Sequence, residues 1–175
     1  MTAALVRRTR ALAGAVVTLT AVAALASELP ARKPGLWEMS ITSGAEPAVT
    51  TRQCIDAATD ARMQQAGRGI MGANCSKDVT RRDGARWVTE SECRVGTSTI
   101  VSRSVITGDF QQAFRIEVTS RYTPPLMGTA QDTSTIDARW AGACPAGWKP
   151  GDMELPGSKR RMNVNEMPGA GAPRK

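Results

Sequence analysis

From Trp87 to Trp140 apolar and polar residues alternate in run after run, and this period of two limits the chain to strands more firmly than any other feature. Successive side chains of a strand point to opposite faces, so alternation gives one face for a core and one for solvent. Trp87, Thr89, Ser91, Cys93 and Val95 fall on one side, with Glu90, Glu92 and Arg94 on the other. Phe110, Phe114, Ile116, Val118 and Tyr122 oppose Gln111, Arg115, Glu117, Thr119 and Arg121. Between these runs, Thr97–Ile106 is rich in β-branched residues. Ile136, Ala138 and Trp140 share a face in a run over Ala130–Ala141, and Trp37, Met39 and Ile41 alternate with Glu38, Ser40 and Thr42. A further strand is expected over Ala48–Cys54. Turn chemistry separates the runs: Asp83-Gly84 is a hairpin signal, Gly96 and Thr107-Gly108-Asp109 are turns, and Pro124-Pro125 is expected to stop a strand because proline cannot donate to a ladder. One helix is expected, over Asp56–Gly67, capped by Asp56, ended by Gly67 and lying at the sheet edge, with a loop from Arg68 to Asn74. The fold class is therefore mainly β: an antiparallel meander forming a curved sheet or partly closed barrel, with one short helix.

The start of the chain follows other rules. Arg7, Arg8 and Arg10 precede an apolar run, Ala11–Leu25, and Ala24-Leu25-Ala26 has the small-x-small form of a cleavage site. This predicts a signal-peptide helix over 1–26, removed after Ala26, and places the mature chain in the periplasm. The run is short for a helix crossing roughly 30 Å of hydrocarbon, and no later segment suits a transmembrane span. Residues 27–155 then form a single domain. Residues 156–175, rich in Gly, Pro and basic residues, are expected to be a disordered tail.

Charge and cysteine narrow the class. The net charge of +7 is concentrated at the two ends, in Arg7, Arg8 and Arg10 and in Lys159, Arg160, Arg161, Arg174 and Lys175. The intervening domain is close to neutral, so a nucleic-acid surface is not expected. An even number of cysteines, Cys54, Cys75, Cys93 and Cys144, in an exported chain argues for disulfides. Three pairings are possible and spacing does not choose among them; the expectation is Cys75–Cys93 and Cys54–Cys144. Zinc is disfavoured, since no C-x-x-C pair and no histidine occur.

Several local motifs together resemble a known group. Pro34-Gly35-Leu36-Trp37-Glu38 opens the domain, Gln53-Cys54 and Asn74-Cys75-Ser76 follow, and Trp87 precedes Cys93. The run Ala138-Arg139-Trp140-Ala141-Gly142-Ala143-Cys144-Pro145 closes it. Over roughly Pro34 to Asp152 the chain resembles the bacterial exported family termed domain of unknown function 3617, departing from it in the Arg-, Ser- and Ile-rich stretch Thr97–Tyr122. The resemblance implies a signal peptide, an envelope location and a β-rich domain, and it implies no activity or functional residues.

The absence of histidine removes Ser-His and Cys-His mechanisms. A carboxylate enzyme, such as a small hydrolase or isomerase, would need Glu90, Glu92, Asp109 or Glu117 to converge. Otherwise Glu90 and Glu92 are solvated charges facing Arg103 or Arg115 on a neighbouring strand. The expectation is a non-enzymatic module with no catalytic residues, cofactor or metal, binding a small amphipathic ligand or an envelope protein. Its candidate face combines Trp37, Phe114 and Ile116 with the polar Thr89, Ser91, Gln112 and Ser120, since polar groups on an inward face need partners that a wet pocket supplies. On their own, Trp37 and Trp140 read as core, and Trp148 as covering the sheet end or marking a contact surface. A third reading is a structural envelope protein whose basic Lys159–Arg161 meets anionic surface groups.

Overall fold

The computed structural model describes residues 28–72 and 74–167. The expected signal peptide, 1–26, and the final residues 168–175 lie outside them. The described residues form nine strands in one antiparallel sheet that does not close into a barrel. In chain order these are β1 (Gly35–Ser43), β2 (Val49–Ile55), helix α1 (Ala57–Gly72), β3 (Cys75–Asp83), β4 (Arg86–Val95), β5 (Ser98–Asp109), β6 (Ala113–Leu126), β7 (Thr129–Gly142), β8 (Asp152–Glu154), β9 (Arg161–Asn163) and the 3-10 turn η1 (Val164–Glu166). Across the sheet the order is β3-β4-β5-β6-β7-β1-β2-β8-β9. The meander β3 to β7 is thus continuous, β1 and β2 add to its far side, and α1 carries the chain from β2 to β3 at the opposite edge.

Register turns the alternation into rows across the inner face. One row joins Trp140, Trp37 and Gln53; the next joins Gly108, Phe114, Ala138, Met39 and Thr51. A third joins Trp87, Ile106, Ile116, Ile136 and Ile41. Trp37, Ile106, Phe114 and Ala138 of these rows are buried together with Ile55 and Phe110 and form the core, with Met63 of α1 and Leu29 packed on it. Further along the same strands the rows change chemistry. Thr80, Thr89, Ser104, Val118, Ser134 and Ser43 form one, and Asp78, Ser91, Ser102, Ser120 and Asp132 the next.

The N-terminal segment seals the Trp37 end. The Lys33 carbonyl accepts the Trp37 indole N–H (2.8 Å), and the Pro34 carbonyl accepts that of Trp140 (3.0 Å). The Lys33 amide donates to the Phe110 carbonyl. Arg32 donates from Nε (2.6 Å) and from its backbone N (2.9 Å) to Asp60, whose side chain is fully buried beneath it. Gln64 adds a third donor to the same carboxylate (3.0 Å). Cys54 pairs with Cys144 at this end, and Cys75 pairs with Cys93, its register partner, at the far edge.

Several expectations need correction. Gly67 does not end α1, which runs through the expected loop to Gly72 and packs Met63 on the core. Its N-terminus is as expected: the Asp56 carboxylate accepts the Thr59 amide (2.7 Å), and hydrogen bonding from the Thr59 side chain, then from this amide, holds the Asp56 carboxyl below its usual range. Phe110 is not in a strand; it sits in the β5–β6 turn and stacks on Phe114 at 4.9 Å. Pro124-Pro125 does not stop β6, which continues to Leu126 with a broken register after Arg121. The stretch from Pro156 to Met167 is not a disordered tail. Strand β9 pairs with β8, and Asn163 and Asn165 both donate to the Pro150 carbonyl, at 3.2 and 2.9 Å. This wrap requires Gly151, whose φ is +96° and whose missing Cβ would lie 2.4 Å from Asn165 Nδ2.

Candidate functional site

The outer face of the sheet carries charge in register. Glu38 of β1 stands between Arg52 of β2 and Arg139 of β7, and Asp137 of β7 stands opposite Arg115 of β6. Arg139 binds Glu38, and Arg115 donates to both Asp137 oxygens at 2.9 and 3.1 Å. Arg52 turns to Glu154 with two bonds, of 2.8 and 2.6 Å. That contact holds the Glu154 carboxyl below its usual range and raises the Arg52 guanidinium.

Between these charges the residues are small. Ser40, Thr107, Gly108 and Ala113 leave an open groove of about 540 Å³ whose walls are Glu38, Asp137, Arg115 and Arg139. Gly108 is fixed by close approach: at φ +105° a Cβ would stand 2.5 Å from the Ala113 carbonyl oxygen. An apolar body can rest on such a floor while a polar group meets the charged walls. Exposed ion pairs of this kind contribute little to stability, so they can exchange partners at low cost.

The expected ligand face is not assembled as one surface. Trp37 and Phe114 are buried and Ile116 packs against them, so the apolar half of that face is filled. Thr89 and Ser91 lie in the hydroxyl rows of the same face, half-buried, with Thr89 bonded to Thr80 (3.0 Å). Ser120 bonds Ser102 (2.8 Å). Gln112 belongs to the exposed β5–β6 turn and not to the sheet. Its residue number fits the alternation, but the turn at Asp109–Gln112 interrupts the strand.

The four carboxylates lie apart. Glu90 is held by Lys77 (2.8 Å) and Arg81 (3.6 Å), and the Lys77 contact pushes its carboxyl below the usual range, opposite to what a proton donor near neutral pH needs. Glu117 pairs with Arg115, Asp109 accepts the Gln111 amide, and Glu92 is exposed. Trp148 lies between the guanidinium groups of Arg52 and Arg161, 5.6 and 5.1 Å from its ring centre. Among the described residues no group of His, Cys, Asp and Glu gathers into a metal cluster, and no helix is long and apolar enough to cross a membrane.

The groove residues Glu38, Arg115, Asp137 and Arg139 were not among those the sequence singled out. The available signal was the run of small residues, Ser40, Thr107 and Ala113, at outward positions of strands that otherwise carry charge there. A family described as Protein of unknown function (DUF3617) matches residues 32–144. No curated protein and no solved structure matches the chain.

Proposed function

This chain belongs to the DUF3617 family, and from that premise we propose that it is an exported periplasmic domain that binds a small amphipathic ligand or envelope component without catalysing a reaction. The observation that carries the binding role is the groove: a floor of small residues between two cation–anion pairs, Arg115 with Asp137 and Arg139 with Glu38. A ligand with an apolar body and one charged or strongly polar group fits that pattern. Export is supported by the oxidation of all four cysteines in two pairs, which suits an oxidising compartment. The separation of Glu90, Glu92, Asp109 and Glu117 supports binding over carboxylate catalysis.

Native mass spectrometry of protein purified from the periplasm tests the reading. The expected spectrum is a chain beginning at Ser27, lighter by four hydrogens than its reduced form, carrying a retained small molecule. Ala113→Trp fills the floor and is expected to abolish retention, while Arg139→Glu weakens it by about tenfold, the loss of one charge-assisted contact. Retention unchanged in both variants would place the ligand elsewhere, and a ligand-free wild-type protein would remove the binding role.

A further inference from the structure

The strand β3 ends the sheet, and among the described residues no backbone group pairs with its outer edge. Ser76, Lys77, Asp78 and Val79 are exposed along it. A long open edge is a template for another strand, and proteins commonly blunt it with charge. Here the charge has a particular order, Lys77, Asp78, Arg81, Arg82, Asp83. Asp78 and Arg82 lie on the same face, on either side of Thr80, and neither has an oppositely charged partner among the described residues. Arg82 donates only to the Gly84 carbonyl (3.1 Å) and lies 5.7 Å from the Trp87 ring centre.

We infer that β3 pairs antiparallel with β3 of a second copy of this chain, about a two-fold axis through Thr80. A two-fold axis perpendicular to the sheet keeps inner face beside inner face, so opposed residues share a face and the axis passes through one residue. Only a few positions are then available. An axis at Asp78, Arg81 or Arg82 sets that charge against itself. An axis at Val79 sets Lys77 against Arg81. An axis at Thr80 sets Asp78 against Arg82 and Lys77 against Asp83, twice each, with Val79 opposite Arg81 and no like charges opposed. Opposite charges directly across a strand pair stabilise it and like charges destabilise it, so the sequence of this edge selects one register. The two sheets become one, with the hydroxyl row through Thr80 continuous across the junction. A contact made by one strand from each copy is small, so the dimer is weak and concentration-dependent.

Sedimentation equilibrium of the protein purified from the periplasm tests this. The wild-type chain is expected to shift from monomer to dimer as concentration rises and to go no further, because a two-fold contact closes on itself. Asp78→Arg and Arg82→Asp each place like charges across the axis and should weaken the dimer at least tenfold. An equal mixture of the two variants should dimerise again: the first carries arginine at both positions and the second aspartate at both, so every arginine meets an aspartate across the axis. Near-UV circular dichroism unchanged in both variants shows that the fold is kept. The inference is overturned if the wild type stays monomeric or forms larger species, if either single variant dimerises like wild type, or if the mixture stays monomeric.

Discussion

The two ends of the inner face are made by the same strands and differ in what covers them. At one end Trp37, Phe114 and Ala138 lie under the N-terminal segment and α1, sealed by the buried contact of Arg32 with Asp60. At the other, Ser102, Ser120, Thr80 and Thr89 stay half-buried and bond one another in cross-strand pairs. Period two decides which side of a strand turns inward; the cover above it decides whether the inward residue must be apolar. A hydroxyl beneath a partial cover needs one protein partner and keeps water for the rest, whereas at the Trp37 end an unpaired polar group would carry its full desolvation cost.

The disulfides test that contrast with the largest expected effect. Cys54–Cys144 spans 90 residues and ties β2 at the sealed end to the chain beyond β7; Cys75–Cys93 spans 18 within one hairpin. Loop-closure entropy then predicts a loss of about 4.5 kcal/mol for Cys54→Ala/Cys144→Ala and about 3 kcal/mol for Cys75→Ala/Cys93→Ala. Urea denaturation of both double variants measures the difference. Equal losses, or a larger loss for the hairpin pair, would mean that the sealed end is not where the chain is most constrained.

Arg32→Met sharpens the same point. It removes the cation above a carboxylate with no exposed surface while keeping much of the packing volume, and so leaves Asp60 with the Gln64 donor as its remaining side-chain partner. Breaking a buried pair from one side costs about 3–5 kcal/mol; Arg32 keeps 11 % exposure, so about 3–4 kcal/mol is expected. A loss below about 1 kcal/mol would show that the N-terminal segment rests on the core without sealing it.

Much of the fold was legible because alternation survives in strands exposed on one face. Trp37, Met39 and Ile41 meet Trp140, Ala138 and Ile136 as their spacing implies. What was not legible depended on partners distant in sequence. Asp60 reads as an ordinary charge near a helix start, and only the fold brings Arg32 to it. Val88 lies on the face opposite Trp87, yet it is fully buried, with Val105 and Arg81 as cross-strand neighbours. Asn163 and Asn165 sit in a stretch whose composition suggests disorder, but their amides fold it back onto Pro150. The groove was hidden for a related reason. A surface charge and a groove wall are the same residue in sequence, and only strand order puts Arg115, Asp137, Arg139 and Glu38 side by side.

The smallest expected effect lies in the hydroxyl rows. Replacing both members of a hydrogen-bonded pair removes the bond without orphaning either group, and that exchange is often close to neutral. Ser102→Ala/Ser120→Ala should therefore change unfolding free energy by no more than about 0.5 kcal/mol, and Ser120→Ala alone by less than about 1 kcal/mol, because water can satisfy the remaining hydroxyl. Denaturation of the three proteins under one set of conditions gives the coupling directly. A coupling of about 2 kcal/mol or more would mean that water does not reach these rows and that they form a polar network as tightly closed as the core at Trp37. The division of the inner face would then be one of chemistry alone, and its hydroxyl end would need a cover as complete as the one Arg32 and Asp60 hold in place.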